Sequence, residues 1–183
     1  FADGADNLFY SRRIGRSPQG YPNTSNGEFV DVPNNSTILG AAKFSGKTKN
    51  GWSIGILESL TDKEFAKIDD NTNKREALVE PLTNYIVTRA QKDFNNRKSF
   101  IGGIFTATNR NLQGDELNYL RKFAYTAGFD FMHNWKNRKY YFSGNIVTSH
   151  VTGSKEAIAN TQQELTHLFQ RVDAGHVEVD PNR

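Results

Sequence analysis

Phe129-Asp130-Phe131-Met132-His133-Asn134-Trp135 runs into Lys136-Asn137-Arg138-Lys139 and returns as Tyr140-Tyr141-Phe142-Ser143-Gly144-Asn145-Ile146. Alternation on both sides of a short polar turn reads as a β-hairpin, because successive strand side chains point to opposite faces. Looping at Asn137-Arg138 sets Trp135 opposite Tyr140, Phe131 opposite Gly144 and Phe129 opposite Ile146. The other face pairs Asn134 with Tyr141, Met132 with Ser143 and Asp130 with Asn145. One face is aromatic and apolar, the other mostly polar. A slip of one residue would exchange the faces, so the pattern specifies the register. Phe131 covers backbone that Gly144 leaves bare. His133 is the exception on the apolar side, next to the aromatic rim.

Two further hairpins precede this one. The first turns at Lys49-Asn50-Gly51, a three-residue loop in which Gly supplies the left-handed position. It sets Phe44 against Ile56 and Gly46 against Ile54, with Lys47–Ser53 and Ser45–Gly55 on the polar side. Carried outward, the same parity puts Glu58 on the apolar side, so either that face ends there or a bulge shifts the register. The second hairpin turns at Asn95-Asn96-Arg97-Lys98. Its apolar face holds Thr88–Phe105, Ala90–Gly103 and Ile86–Ala107; the other holds Arg89–Ile104, Gln91–Gly102 and Asp93–Phe100. Small Gly102 leaves room beside Gln91 and Arg89. The six strands are predicted at about 37–48, 52–60, 82–94, 99–109, 124–135 and 140–151.

Short basic turns flanked by Trp, Tyr and Phe at one end, and much longer connections at the other, form the pattern of a transmembrane β-barrel. Aromatic rings settle at a membrane–water boundary. The expected fold is therefore all-β: an antiparallel meander of about six strands forming part of a transmembrane β-barrel, with long loops and short helices at one end. Three segments follow: an irregular lead-in over 1–36, three hairpins of a barrel wall over 37–151, and a long loop with a helix over 152–183. Each repeat supplies two strands and no Trp-Asp dipeptide, which sets a WD40 propeller aside.

Composition bounds the rest. The chain has 183 residues and no Cys, which excludes disulfides, thiolate metal sites and a cysteine nucleophile. Its net charge is +3 and its pI about 9.1, without a basic stripe, so nucleic acid is not an expected partner. A mean hydropathy of −0.68 is low, yet a barrel tolerates it because only alternate strand residues meet lipid. No run approaches the ~20 apolar residues of a membrane-spanning helix. The chain opens at Phe1 without an initiator Met or signal peptide and is read as a piece of a larger precursor.

The connections carry polar chemistry. Residues 61–80 hold Asp62, Glu64, Asp69, Asp70, Glu76 and Glu80; residues 109–123 predict a short helix around Asp115-Glu116-Leu117. Ser154 is placed to cap a helix from Lys155 towards Arg171, with Ile158, Leu165 and Leu168 on one side. No metalloprotease histidine pair, nucleophile elbow, phosphate-binding loop or paired-Cys zinc site is present, so no catalytic residue and no cofactor is expected. The four histidines (His133, His150, His167, His176) fall in separate segments. Asp69, Asn71, Asn73 and Glu80 occupy places one, three, five and twelve of a calcium-loop template, but its Gly position holds Lys74, a cation beside the would-be cation, so a solvated polar loop is the preferred reading and no metal is expected. Arg12, Arg13 and Arg16 form a basic knot, read either as solvated charge or as a lumen plug or anion contact.

The best functional candidates are the polar strand positions expected to face a lumen: Lys43, Arg89, Gln91, Asp93, Arg110, Asp130, Asn134 and Asn145, accompanied by Ser45, Thr106, Thr108 and Ser149. Charges of both signs on one strand face suit a watery or plugged interior. The alternative is that they bond one another and only hold the wall. On the first view, Arg89→Ala or Asp130→Ala leaves folding intact and shifts solute selectivity.

Several strings stand out together: Leu8-Phe9-Tyr10-Ser11-Arg12-Arg13-Ile14-Gly15-Arg16, Ile38-Leu39-Gly40-Ala41-Ala42-Lys43, Lys49-Asn50-Gly51-Trp52-Ser53-Ile54-Gly55, Gln91-Lys92-Asp93-Phe94-Asn95, Ile101-Gly102-Gly103-Ile104-Phe105-Thr106-Ala107 and Tyr141-Phe142-Ser143-Gly144-Asn145. With them the chain resembles an uncharacterised family of large Gram-negative outer-membrane proteins, in which a carbohydrate-binding family-nine-like β-sandwich precedes a long barrel-forming region. The resemblance covers most of these residues and the start of that barrel region. It implies outer-membrane localisation, lipid around the wall, the remainder of the barrel and an upstream sandwich as partners, and a glycan or small solute as ligand. It supplies no catalytic residues. The alternatives are a soluble all-β carbohydrate-binding or hydrolase-associated module, and a purely structural surface protein.

Overall fold

The computed structural model describes residues 8–9, 13–164, 175, 177–180 and 182. Nine strands run in chain order: β1 (Phe29–Asp31), β2 (Ile38–Lys47), β3 (Trp52–Thr61), β4 (Glu64–Asp69), β5 (Lys74–Glu80), β6 (Thr83–Phe94), β7 (Ser99–Arg110), β8 (Phe123–Trp135) and β9 (Tyr140–Thr152). One helix follows, α1 (Lys155–Gln163). Six strands make an antiparallel meander in the order β2-β3-β6-β7-β8-β9. A smaller sheet, β1-β4-β5, is built at the end away from the short turns.

The registers agree with the pairing expected from parity. Trp135 faces Tyr140, Phe131 faces Gly144 and Asp130 faces Asn145. Phe44 faces Ile56 and Ser45 faces Gly55. Thr88 faces Phe105 and Gln91 faces Gly102. Alternation decided each pairing because a slip would carry every aromatic of a strand to the polar side.

The turns hold these registers by backbone geometry. Gly51 adopts φ +84°, and its amide donates to the Thr48 carbonyl at 3.1 Å. A Cβ there would also lie 2.9 Å from the Asp93 carbonyl oxygen, so Gly is required twice. The other two turns close alike, Lys98 N donating to Asn95 O and Lys139 N to Lys136 O, each at 3.1 Å. Positive φ runs through Asn95, Asn96 and Arg97 and through Lys136, Asn137 and Arg138. Left-handed central residues match the twist of the flanking strands, which offsets the cost of placing Arg and Lys there.

The connections hold more structure than their polarity predicts. Residues 64–80 are a hairpin, not a loop, and β1 lies within the lead-in. Ala66 and Ile68 on β4 and Ala77 and Val79 on β5 alternate and are buried, giving this small sheet a core. Around Asp115-Glu116-Leu117 the chain makes successive turns instead of a helix, Asn118 N donating to Asp115 O and Leu120 N to Leu117 O. Two turns suffice to bury Leu117 and Leu120. Ser154 caps α1 as expected, its Oγ accepting from Ala157 N at 3.1 Å, and Ile158 is buried. α1 ends at Gln163, where Glu164 turns to extended backbone, short of the expected end at Arg171; Leu165 and Leu168 lie outside the described residues, as do Arg12, His167 and His176.

Glu58 keeps strict register with Ala42 and Ile86, so no bulge turns it inward; the bulges fall at Ile38/Gly40 and Glu64/Phe65. The apolar face therefore ends at Glu58, which accepts a hydrogen bond from Asn84 Nδ2.

Candidate functional site

Parity puts Lys47 of β2, Arg89, Gln91 and Asp93 of β6 and Asp130 of β8 on one face of the large sheet. Their side chains join into a ladder across it. Lys47 Nζ donates to Asp93 Oδ2 at 3.0 Å, and Gln91 Nε2 donates to Asp93 Oδ1 at 3.0 Å. Arg89 Nη2 donates to Gln91 Oε1 at 3.2 Å. Arg89 then grips Asp130 with both nitrogens, Nη1 to Oδ1 and Nη2 to Oδ2, each at 2.7 Å. Asp130 is buried and Arg89 about a quarter exposed, so this bidentate pair is the strongest polar contact of the face.

Gly102 of β7 lies beneath the pair. A Cβ on it would come within 2.5 Å of Asp130 Oδ1 and 2.7 Å of Arg89 Nη2. The room expected beside Arg89 and Gln91 is real, and it serves the Arg89–Asp130 contact across β7. Ser45, Ser53 and Gly55 keep the neighbouring surface low, leaving a shallow hollow of about 450 Å³ beside Lys47, Arg89 and Gln91. Chemically, the ladder holds two cations and two carboxylates in two pairs. It orients polar groups; it presents no activated nucleophile and no general base aimed at open space.

The opposite face is apolar and uncovered. Phe44, Trp52, Ile54, Ile56, Phe94, Ile101, Phe105, Phe129, Trp135, Tyr140, Phe142 and Ile146 all point to it, each at least 40% exposed. Phe131 lies over Gly144, where a Cβ would meet its ring at 2.9 Å. Residues 2–176 match the family described as Domain of unknown function (DUF5916). The chain belongs to the DUF5916 family. No curated protein and no solved structure matches it.

Of the positions the sequence nominated in this DUF5916 chain, Arg89, Gln91, Asp93 and Asp130 are brought together. The other four are not. Lys43 and Asn145 share the polar face but stay exposed, Asn145 directly across from Asp130. Asn134 Nδ2 donates to the Lys98 carbonyl at 3.1 Å and so serves the turn between β6 and β7. Arg110 lies at the far end of β7, its Nη1 donating to the Arg121 carbonyl at 2.8 Å. Lys47 was missed as a site residue because it borders a turn. Its parity with Ser53, and Ser53's with Gln91, is the signal that finds it.

The four positions of the calcium-loop template do not come together. Asp69, Asn71 and Asn73 belong to the β4–β5 turn, where Asp69 Oδ1 accepts from Asn71 N at 2.8 Å. Asp70 Oδ1 accepts from the amides of Asn73 and Thr72, which hold its carboxyl below the usual carboxylate range. Glu80 lies at the other end of the seven-residue β5, roughly 20 Å away, by strand geometry. It is buried, and its carboxylate accepts from Gln19 N at 2.8 Å and Gln19 Nε2 at 3.1 Å. Asp69 Oδ1 and Asp70 Oδ1 are thus turned to backbone amides and both Glu80 oxygens to Gln19. Among the described residues no group of three His, Asp or Glu is placed to hold a metal ion. His133 Nδ1 pairs with Ser99 Oγ at 2.8 Å and its ring stacks on Trp135, while His150 Nε2 meets Thr152 Oγ1.

Proposed function

We propose that this DUF5916 chain forms part of the wall of an outer-membrane β-barrel that transports or handles a ligand at the cell surface. The observation that carries the reading is the contrast of faces: twelve large apolar side chains exposed on one side, and a hydrogen-bonded charge ladder on the other. An apolar patch of that extent marks a surface made to meet something apolar. Aromatics bound both of its ends. At the turn end, Lys92 Nζ lies 5.4 Å from the Trp52 ring and Lys136 Nζ 5.6 Å from Tyr140; at the other, Lys122 Nζ lies 5.2 Å from Phe123. Ring with cation is the arrangement favoured at a headgroup boundary. From Phe123 to Trp135 the strand covers roughly 40 Å, which at a barrel tilt gives about 30 Å, the thickness of a hydrocarbon core with its rims.

On this reading lipid covers the apolar face and the ladder lines the interior. The open edges β2 and β9 pair with further wall strands. The resemblance adds an upstream carbohydrate-binding-like sandwich and a glycan as the ligand class. The second reading, a soluble all-β module whose apolar face packs on another sheet, is favoured by the mean hydropathy of −0.68. Fractionation of the full-length protein separates the two. Release from the outer-membrane fraction only with detergent is the expected result; recovery in soluble periplasm overturns the barrel.

A further inference from the structure

We propose that the cavity between the lead-in segment and the polar face of β6 and β7 is an oxyanion site, binding a small solute through its carboxylate or phosphate group. This deepens the reading above by naming a ligand class, and rests on it for the side from which the solute arrives. The cavity has a volume of about 440 Å³ and is lined by Arg13, Arg16 and Arg110, with Tyr85, Thr106 and Thr108 beside them. That volume suits a small molecule. Guanidinium groups match carboxylate and phosphate oxygens in bidentate fashion, and the hydroxyls add donors.

The decisive feature is an excess of positive charge. Among the described residues that line the cavity, none is Asp or Glu. In the ladder Arg89 has Asp130; here Arg13 and Arg16 of the lead-in and Arg110 of β7 line one cavity, and Arg16 and Arg110 lie close enough to repel. Among the described residues, no ion pair involves Arg13, Arg16 or Arg110. Arg110 is held in place by the Arg121 carbonyl while its buried Nε has no acceptor. Glu80 attracts Arg110 through space while its oxygens bond to Gln19, so one carboxylate offsets part of the charge of three arginines. Gathering like charges in a partly buried space is unfavourable, and an anion removes that penalty. Residues 16–36 of the lead-in are tied down by their own contacts. Ser36 N and Oγ donate to the Arg16 carbonyl at 2.9 and 2.8 Å, and Gly20 N donates to Val79 O at 2.7 Å.

The test is calorimetric titration of the full-length protein in detergent micelles with inorganic phosphate, with glucuronate, and with glucose as the neutral control. Saturable binding of either anion and none of glucose is expected; which anion binds distinguishes a phosphate from a carboxylate ligand. The Arg13→Gln/Arg16→Gln variant should bind at least about tenfold more weakly, as loss of charged hydrogen bonds implies, with an unchanged melting temperature. Arg110→Gln should weaken binding too, but it also loses the Arg121 contact, so the double variant decides. Absence of binding by both anions, equal binding of glucose, or unchanged affinity in the double variant overturns the site. A protein found soluble in the periplasm overturns the barrel alone, since the same titration then runs in plain buffer.

Discussion

The two ends of this molecule treat apolar side chains in opposite ways. At the connection end, Ala66, Ile68, Val79, Leu117 and Ile158 are buried among the small sheet, the 115–120 turns and α1. Along the six-stranded sheet, residues as large as Phe142 and Ile146 are uncovered. The first is the packing of a protein in water, where burial of apolar surface drives folding. The second leaves an apolar surface for something else to cover, lipid on the barrel reading and a second sheet on the other. Exposure alone does not tell these apart, because Phe65 of β4 and Phe129 of β8 are uncovered to nearly the same degree, 43% and 46%. Their surroundings differ, and that difference can be broken.

The largest expected effect is on those two residues. Phe129→Arg should cost about 2–4 kcal/mol in denaturant unfolding of the full-length protein in lipid vesicles, the cost of a charge near mid-membrane. Phe65→Arg should stay within about 0.5 kcal/mol, as an exposed position in water. Equal costs at the two sites would erase the distinction between the ends.

A second comparison lies within the large sheet. Gly102→Ala forces a Cβ into the Arg89–Asp130 pair and should destabilise by about 1–3 kcal/mol. Gly55→Ala, with no atom within 4 Å of the added Cβ, should be neutral or stabilise by up to about 1 kcal/mol. Melting curves of the two variants measure it; similar shifts would mean that the pair does not need its gap.

The pair itself comes next. Removing one partner leaves the other charge partly buried, so Arg89→Ala and Asp130→Ala should each destabilise, and the double variant should recover part of the loss. A coupling of about 0.5–3 kcal/mol in the double-mutant cycle is expected. Additive losses would show the contact to be without weight. This revises the expectation that either variant leaves folding untouched, since that expectation took the two groups as separate solute-facing charges.

The smallest effect belongs to the small sheet. Asp70 has a lowered carboxyl pKa in the folded chain, so its stabilisation is present above the unfolded value and is lost as pH falls through the folded one. Amide exchange at Thr72 and Asn73 should therefore accelerate relative to the strands once pH drops below the ordinary carboxylate range. The Asp70→Asn variant should show no such acid step.

The large sheet was legible because its information is local. Parity across a short turn names both partners, and Gly51 or an Asn pair names the turn. The small sheet was not. β4 and β5 each bury only two apolar side chains, Ala66 with Ile68 and Ala77 with Val79, between charged neighbours. Their alternation was too short to outweigh the acids. Asp69-Asp70-Asn71-Thr72-Asn73 held the missing cue: Asp oxygens reaching amides two and three residues on make a turn, the same oxygens a calcium loop would claim. Within the candidate site, the residues of the ladder were legible by parity, but their links were not. Arg89 reaches Asp130 over Gly102, a contact that spans three strands and depends on a side chain that is absent. The convergence of Arg13 and Arg16 on Arg110 was equally out of reach, since no periodicity ties an irregular lead-in to a strand end.

The ladder has a consequence for the electric field at this wall. Read from Lys47 to Asp130 its signs run plus, minus, plus, minus, so it is two dipoles in series. A dipole's potential falls with the square of distance, whereas that of a lone charge falls only with the first power. Beyond the ladder's own length, the four formal charges sum to zero and their field fades. What an ion senses at range on this face of the sheet is then the net charge left over, the arginines of the lead-in and β7, where the charges are fewer but not paired one to one.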